Sequence, residues 1–468
     1  MKKFFEIDLR VLSIFRIGLA ILIIVDLFFR GIHLEELYTN KGLFTRQDAM
    51  KFSSNTLYYS FHLANDSFEF QTFLFLTAAI FAVLLLIGYK TRLATIVSWI
   101  LITSLHVRNP LILDGGDYLL RLCLMWCMFL PIGEFYSYDS KQKTENPPLK
   151  ISSYASAGLL IQIAIMYIFT GLTKFRNEEW INGDGIFLSL SEIQFATPIG
   201  LYITTLPDYV LRIITKTLIY FEILGPLFLF SKSGLIRSCI LLCFTLLHIV
   251  FSLCLDIGLF ALIDIVCLIP FLSGEMLEKI FLRLKISAPN NYSTGYFLSN
   301  KYANIFSLIM IVYIFFSNID GLYMKKYIPP KLNWFGEIMH IHQSWYMFST
   351  PGTKGQWYNL WYVIPGNLNN GSEVDLFKNG EPVTFEKPKI ASYYFKDRHL
   401  KKFLVTTGKS YWAYIPSYGK YLCYSWNKTH DKAEHVKSLD IYLMHEVLLS
   451  NKQNAGINKH FYWRQYCE

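Results

Sequence analysis

Long apolar stretches restrict what this chain can fold into. Between its N-terminus and residue 320, runs of about 20 apolar residues recur, each long enough to cross a lipid bilayer as a helix. Of the 468 residues, 53% are hydrophobic and only 17% are charged. A water-soluble protein rarely combines so little charge with so many apolar side chains. The sequence therefore predicts a multi-pass membrane protein.

The apolar stretches predict a bundle of nine transmembrane helices, so the main fold class is an all-α membrane bundle. The first stretch resembles a signal peptide, but it is too long and contains Arg16 and Asp26, so we interpret it as a retained helix. We place the nine helices at residues 11–29, 71–89, 93–107, 117–133, 153–174, 208–230, 235–255, 257–273 and 302–320.

The distribution of basic residues predicts the orientation of the bundle. Fourteen lysines and arginines fall in segments on the N-terminal side of the membrane and six in the opposite loops. Because lysine and arginine collect in cytoplasmic loops, we expect a cytoplasmic N-terminus and an extracytoplasmic C-terminus. The same pattern accounts for the formal net charge of +9, so we expect no nucleic-acid partner.

The chain becomes more polar after its proline pair at 329–330. We divide it into a transmembrane bundle, residues 1–327, and an extracytoplasmic domain, residues 328–468, which we expect to be small, mainly β and docked on the bundle. Eight cysteines are present, and Cys423 and Cys467 both fall in the outer domain. Whether they form a disulfide depends on a distance that the sequence does not give.

Three local patterns describe the outer domain further. Alternation on both sides of Asn379-Gly380 predicts a β-hairpin with a type I′ turn. Apolar spacing between Asp431 and Leu449 predicts a helix. A basic cluster, composed of Arg398, Lys401 and Lys402, is typical of a solvated face.

One helical face in the fifth predicted span is unusually polar. Tyr167, Thr170, Gly171 and Lys174 are spaced at i, i+3, i+4 and i+7, so they share a stripe. Such a stripe suits a polar cavity between helices better than contact with lipid. Lys174 could extend to the membrane interface. Alternatively, beside apolar and aromatic walls it would lose its proton more easily and could act as a general base.

Other ionisable side chains also fall within predicted spans. Inserting such a side chain into the membrane costs roughly 2.5–3.5 kcal/mol, so it usually needs a partner. We expect Asp117 and Arg121, four residues apart, to pair with each other. Glu222 either pairs with Arg16 or Lys216, or lines a chamber. Most of the group falls in the outer half of the bundle, which predicts a chamber that opens outward. The group comprises Arg16, Asp26, Asp117, Arg121, Lys174, Lys216, Glu222, His248 and Asp264.

Four segments stand out together, in this order: Arg16-Ile-Gly18 with Asp26, Gly116-Asp117 with Pro131-Ile-Gly133, Tyr167–Lys174 with Trp180-Ile-Asn-Gly183, and Leu247-His248 with Asp256-Ile-Gly258. They resemble the vitamin K-dependent γ-carboxylases and their bacterial relatives, the HTTM (horizontally transferred transmembrane) domain proteins. The resemblance covers roughly residues 5–275. Two further segments, Trp345–Pro351 and Gly371–Leu376, resemble the outer domain of a bacterial HTTM subgroup.

The resemblance implies a membrane enzyme that couples oxidation of a reduced quinone, of the vitamin K or menaquinol type, to a second reaction. In the carboxylases, a lysine deprotonates the hydroquinone, and the base formed after oxygen addition removes a proton from a peptide glutamate. Lys174 matches that lysine and His248 matches a histidine near the same chamber, so both would be catalytic. Substrate-binding residues would be Asp117, Arg121, Tyr167, Trp180 and Glu222, and no metal is expected.

The chain also departs from the carboxylases. Thr173 occupies the position of the first of their two adjacent lysines, and the outer domain does not resemble their propeptide-binding part. The leading hypothesis is a quinol-dependent oxygenase or carboxylase, a lyase-like enzyme whose chamber accepts a quinone-like or lipid-like ligand. A second hypothesis is a non-catalytic component that assists export, maturation or immunity toward a secreted peptide. A proton-coupled transporter is a weaker alternative because no inverted repeat is evident.

The remaining expectations concern the cell. The bias toward Ile, Lys, Asn and Phe is typical of an AT-rich, bacterial genome, which places the protein in the plasma (inner) membrane. Expected partners are membrane lipid and a secreted peptide or protein substrate.

Overall fold

The computed structural model describes residues 4–53, 59–285, 292–349, 357–395, 397–450 and 454–467. The part of the chain that it describes is mostly helical and ends in a β-sheet region. Its helices are α1 (Leu9–Ile32), α2 (Leu34–Tyr38), α3 (Arg46–Phe52), α4 (Phe68–Ile87), α5 (Thr91–Arg108), α6 (Gly115–Cys127), α7 (Tyr138–Lys141), α8 (Tyr154–Phe175), α9 (Glu178–Asn182), α10 (Gly185–Ser191), α11 (Pro198–Ile203), α12 (Asp208–Phe228), α13 (Gly234–Cys254), α14 (Phe260–Cys267), α15 (Gly274–Leu284), α16 (Lys301–Tyr323), α17 (Asn333–Ile338), α18 (Arg398–Lys409) and α19 (Ile415–Thr429). Its strands are β1 (Glu6–Asp8), β2 (Pro148–Ser152), β3 (Ser293–Phe297), β4 (Tyr358–Val363), β5 (Pro365–Leu368), β6 (Glu373–Asp375), β7 (Val436–Leu448) and β8 (Asn454–Tyr466).

Each of the nine predicted apolar stretches contains a helix, but the count of nine transmembrane helices is not confirmed. Among the described residues, five helices are long and apolar enough to cross a membrane: α1, α4, α8, α13 and α16. The other stretches fall short because α6 has only 13 residues and because α5 and α12 carry more polar or charged side chains. The protein is therefore a multi-pass membrane protein with at least five candidate spans.

The predicted span at 257–273 is broken rather than continuous. After α14, a 3₁₀ turn at Ile269–Phe271 contains Pro270, which has no amide hydrogen to donate to a continuing helix. The following α15 is bent by 115° from this segment. The pair forms a sixth span only if it is counted as one interrupted crossing.

A small sheet lies at the end of the bundle where α1 begins. Strand β1 pairs antiparallel with β2, and β2 pairs parallel with β3. Helix α1 starts directly after β1 and has 24 residues, a length of about 36 Å at 1.5 Å per residue. Near its other end, Asp26 contacts α18 of the outer domain, so the small sheet and the outer domain lie at opposite ends of α1.

The outer domain contains a five-stranded sheet, which agrees with the expected β-sheet character, together with α18 and α19. Four strands follow the order β4-β7-β5-β6, and β8 pairs with β7. The helix predicted between Asp431 and Leu449 is wrong, because most of that segment forms β7. Leu439, Ile441 and Leu443 are buried alternately along the strand, so the two-residue period prevailed over the helical spacing.

The predicted hairpin around Asn379-Gly380 is only partly present. Both residues have positive φ, as a type I′ turn requires. However, Asp375 pairs with Glu381, so the loop contains five residues instead of two. Leu376 and Phe377 within the loop are buried in the core. Elsewhere in the domain, Cys423 and Cys467 form a disulfide.

Polar contacts fasten α19 to the segment that follows α1. Tyr421 donates a hydrogen bond to Glu36, and Tyr424 donates one to Glu35 over 3.0 Å. Ser417 donates to Asp48 over 2.6 Å. The outer domain is thus docked on the bundle through α2 and α3.

Candidate functional site

A cavity of about 930 Å³ lies between the bundle and the outer domain. Its walls come from α8, α12 and α13, from residues 342–349, and from α18. Five of the seven residues predicted to act in catalysis or binding line this cavity: Tyr167, Lys174, Trp180, Glu222 and His248. We refer to this cavity as the chamber.

Lys174 and Glu222 form a buried ion pair in the chamber wall. Nζ of Lys174 donates to both carboxylate oxygens of Glu222, over 2.6 and 2.8 Å. The two side chains are only 3% and 4% exposed. Lys174 therefore does not extend to solvent, and it has a carboxylate partner in place of purely apolar walls.

Glycine at position 171 lets the two helices of this pair approach each other. A Cβ atom at Gly171 would lie 2.7 Å from Ile223 and 3.1 Å from Cβ of Glu222, both on α12. Because that distance is shorter than normal van der Waals contact, a side chain here would push α12 away from α8. The small residue noticed in the sequence stripe thus permits the short contact between Lys174 and Glu222.

A second polar group in the chamber links three helices. The Tyr167 hydroxyl lies 2.7 Å from Nε2 of His248. On the opposite side of the ring, Nδ1 lies 3.3 Å from Oδ2 of Asp264, without a well-directed hydrogen bond. Asp264 is fully buried, and neither carboxylate oxygen has a hydrogen-bond partner among the described residues. Tyr167, His248 and Asp264 thus lie next to one another in the chamber wall, and sequence reasoning had not assigned Asp264 a role.

Trp180 forms part of the chamber wall beside the lysine. Its ring centroid lies 4.9 Å from Nζ of Lys174, within the range of a cation–π contact. Its indole nitrogen donates to the carbonyl of Phe348 over 2.8 Å. At 1% exposure, Trp180 is a buried residue of the chamber wall.

The predicted pairing of Asp117 with Arg121 is wrong, and neither residue lines the chamber. The guanidinium of Arg30 reaches Asp117 over 2.6 Å and Asp26 over 2.7 Å. Arg30, on α1, is therefore the ion-pair partner of Asp117. Arg121 instead lies over the ring of Tyr118 and 3.4 Å from His106. Asp117 therefore contributes to a buried ion cluster that joins α1 to α6.

Of the two alternatives left open for Glu222, pairing with Arg16 or Lys216 is wrong. Arg16 donates to the carbonyls of Leu85 and Leu86 and to that of Tyr136, over 2.6 to 3.0 Å. It therefore satisfies the free carbonyl groups at the end of α4. Lys216 is exposed on the outer surface of α12. Glu222 instead faces α8 and forms an ion pair with Lys174 on that helix.

The basic cluster of α18 is not a solvated face. Arg398 donates to Asp26 over 2.6 Å, and Lys401 donates to the carboxylate and the carbonyl of Asp256. Together with Lys402, these residues line the chamber. Gly258 is in the left-handed region (φ +62°), and a Cβ there would lie 2.8 Å from Arg398, so the tight turn after α13 makes room for α18. Sequence reasoning missed this role because it depends on how the outer domain docks.

Two groups of side chains in the described structure have the spacing of metal ligands. In the group of Asp26, His106 and Asp117, Arg30 already binds both carboxylates, and its positive charge would compete with a cation. The other group contains His33, Glu36 and Asp397 at the dock, with His33 2.7 Å from Glu36. Neither group contains a residue that was predicted to be catalytic.

His399 at the dock predicts a pH dependence of stability. Burial lowers the pKa of His399, and the positive charges of Arg30 and Arg398 lower this pKa further. The hydrogen bond with Asp397 (3.2 Å) and the negative charge of Asp26 raise the pKa, but they do not outweigh burial. A folded pKa below the ordinary value of 6.5 means that the unfolded chain takes up the proton first as the pH falls. The neutral, buried His399 ring is therefore fully compatible with the folded protein above pH 6.5, and the free energy of unfolding decreases as the pH falls below 6.5.

We expect the unfolding temperature of the native protein to fall between pH 7.5 and pH 5.5. The unfolding temperature of His399→Gln should fall less over the same range. The difference is limited to about 1.4 kcal/mol per pH unit. An equal pH dependence in both proteins would contradict the assignment to His399.

Comparison with known proteins is consistent with the resemblance noted in the sequence. The HTTM domain family model matches residues 4–275, which is more than half of the chain. Neither the curated proteins nor the solved structures contain a significant match. The matched region contains Tyr167, Lys174, Glu222, His248 and Asp264, whereas α18 lies outside it. The chain therefore belongs to the HTTM domain family, membrane proteins related to the vitamin K-dependent carboxylases.

Proposed function

We propose that this protein is a membrane enzyme that binds a reduced quinone or a similar lipid in the chamber and removes a hydroxyl proton from it. The observation that carries the proposal is the Lys174–Glu222 pair, which is buried and lines a cavity of about 930 Å³. Cavities of roughly 300–1,000 Å³ are typical of sites for small organic ligands. A base in such a site can act on a bound hydroxyl without competition from bulk water.

The walls suit an aromatic, apolar ligand. Phe251 and Phe260 line the chamber near His248, and Met166 and Leu247 add apolar surface. When bound, a reduced quinone would supply an oxidisable ring and two hydroxyl groups. The polar atoms that could orient those hydroxyls are the ones already paired across the chamber wall, on Lys174, Glu222, Tyr167 and His248.

The ion pair defines how a proton could be accepted. If Lys174 is protonated and Glu222 ionised, the free electron pairs are on the carboxylate, and Glu222 accepts the proton while Lys174 holds it in position. If the proton is already on Glu222, the lysine amine accepts. In both cases the pair gains one proton and stays hydrogen-bonded. The catalytic unit that we propose is therefore the pair and not Lys174 alone, with the Tyr167–His248 contact orienting the ligand.

Epoxide formation from reduced menaquinone or vitamin K, with added dioxygen as the oxidant and source of the epoxide oxygen, tests this function when it is measured in membranes that contain the protein. We expect Lys174→Met and Glu222→Gln each to lower the rate by about 100-fold or more, the size typical of a lost general base. Lys216→Met is the matched control because Lys216 is an exposed lysine on α12, and it should leave the rate unchanged. Absence of epoxide above background with the native protein would refute the quinol-dependent reaction.

A second function, assistance to a secreted peptide, is favoured by strand β8. Among the described strands, β8 pairs only with β7, so its other edge has unpaired backbone groups. Phe461, Trp463 and Tyr466 are exposed along it. An extended peptide could add to such an edge by main-chain hydrogen bonding. Co-purification of a secreted peptide that is abolished by proline substitutions in β8 and unaffected by Lys174→Met would support this function; no captured peptide would argue against it.

We also infer that the outer domain is extracytoplasmic and that the membrane is a bacterial plasma membrane. The Cys423–Cys467 disulfide supports this orientation because disulfides persist mainly outside the cytoplasm. In intact cells, a membrane-impermeant thiol reagent should label these cysteines only after reduction. Labelling only after the membrane is broken would contradict the orientation.

A further inference from the structure

Lys402 differs from the other basic residues of α18 in having no counter-ion among the residues that the structure describes. Arg398 is held by Asp26, Lys401 by Asp256, and Lys409 lies 3.4 Å from Glu192. Among the described residues, no hydrogen bond or ion pair involves Lys402, although it lines the chamber. The three paired residues fasten the outer domain to the bundle, and Lys402 is left with its charge directed to the cavity.

The carboxylates that attract Lys402 from a distance are already engaged. Asp114 accepts hydrogen bonds from the amides of Gly116 and Asp117 at the start of α6, over 2.8 and 3.2 Å. Asp117 is bound by Arg30. Burial lowers the pKa of Lys402, with the positive charge of Lys409 adding to the effect and Asp114 and Asp117 opposing it. The ammonium group is thus partly withdrawn from water and has no hydrogen-bond or ion-pair partner in the described part of the chain.

The chamber has two chemically different ends. The end next to α18 carries Lys402, Lys401 and Lys409, whereas the part within the bundle is lined by apolar and aromatic side chains such as Leu247 and Phe251. A ligand that matches both ends needs an oxyanion on an apolar chain. Uncharged quinones match only the apolar part.

We propose that the chamber binds an anionic amphiphile, with its carboxylate or phosphate group on Lys402 and its apolar chain between the helices of the bundle. This ligand is the second substrate, or the membrane lipid, that shares the chamber with the quinol. The inference deepens the proposed function, since a group bound at Lys402 would extend toward the Lys174–Glu222 pair.

Binding to the full-length protein in an uncharged detergent tests the proposal. The probes are decyl phosphate, decanoate, the neutral decanol, and inorganic phosphate. Trp180, Trp345 and Trp357 line the chamber, so their fluorescence reports binding there. We expect decyl phosphate or decanoate to bind about tenfold more tightly than decanol, the size of one charge-assisted hydrogen bond. Whichever anion binds more tightly identifies a phosphate headgroup or a carboxylate as the source.

Variants of single lysines distinguish anion binding at Lys402 from unspecific attraction of anions to a basic protein. Lys402→Met should lose the tenfold preference and keep its affinity for decanol, and Lys402→Arg should retain the preference. Lys420→Met, which removes an exposed lysine of α19, should bind like the native protein. Equal preference in native and Lys402→Met proteins would overturn the proposal. Inorganic phosphate binding as tightly as decyl phosphate would overturn the requirement for an apolar chain.

The binding assay does not depend on turnover. Lys174→Met should retain the preference for anionic amphiphiles even though it loses epoxide formation. An inactive native protein that still binds decyl phosphate through Lys402 would refute the quinol-dependent reaction alone. Normal epoxide formation without anion binding would refute the site at Lys402 alone.

Discussion

Arg30→Met is expected to destabilise the folded protein by about 3–5 kcal/mol, because it removes the guanidinium that joins two buried carboxylates on different helices. Arg30 is 1% exposed and binds Asp26 over 2.7 Å and Asp117 over 2.6 Å. Its guanidinium also donates to Tyr38 over 3.0 Å. Without it, two carboxylates remain in a desolvated environment with much less positive charge to stabilise them.

Thermal unfolding of the purified protein in detergent measures this effect. Arg212→Met is the matched control, because Arg212 is more than half exposed and its contact with Asp184 is 3.5 Å long. Such surface pairs contribute roughly 0–1 kcal/mol. Neutralising the carboxylates as well, with Asp26→Asn and Asp117→Asn, should recover part of the loss. If Arg30→Met unfolds at the same temperature as Arg212→Met, the cluster does not stabilise the bundle.

Lys174→Met and Glu222→Gln are expected to produce the second large effect, on stability as well as on turnover. Removal of one member of a buried pair leaves the other without compensation and typically costs about 3–5 kcal/mol. Glu222→Gln should cost less than Lys174→Met, since glutamine keeps a carbonyl oxygen for the lysine and carries no charge. The double variant Lys174→Met/Glu222→Leu should be more stable than Lys174→Met alone.

The same three variants separate stability from chemistry. Unfolding temperature should partly recover in the double variant, whereas epoxide formation should be lost in all three. A double variant that is no more stable than Lys174→Met would show that the two side chains are not coupled in the folded protein. A double variant that forms epoxide at the native rate would show that the pair has no part in the reaction.

Sequence periodicity was sufficient for features that are local to one helix. The stripe containing Tyr167 and Lys174 is a property of the 3.6-residue repeat, and both residues do line the chamber. The apolar stretches likewise contain helices wherever they were predicted. Periodicity did not give the number of stretches that cross the membrane, because Pro270 breaks one stretch and polar side chains interrupt others.

Partners between helices could not be predicted from spacing. Glu222 meets Lys174, and Asp117 meets Arg30, because α12 packs on α8 and α6 packs near α1. Helical spacing gives the direction of a side chain on its own helix but not which neighbouring helix it faces. Asp264 illustrates the same limit, since its place beside His248 depends on how α14 packs on α13.

The outer domain shows a further limit. The apolar residues of β7 fit both a helical and an extended period, and pairing with β4 and β8 decided between them. The lysines of α18 form an ordinary basic segment in the sequence. Their role at the chamber appears only when α18 is docked on the turn at Asp256–Gly258.

The most direct test of the central claim is electron cryo-microscopy of the full-length protein in lipid nanodiscs, prepared with reduced menaquinone. The proposed function predicts density for the ring inside the chamber, with a hydroxyl within hydrogen-bonding distance of the Lys174–Glu222 pair. A map that shows the ring bound elsewhere on the protein, with the chamber occupied only by side chains or water, would contradict it.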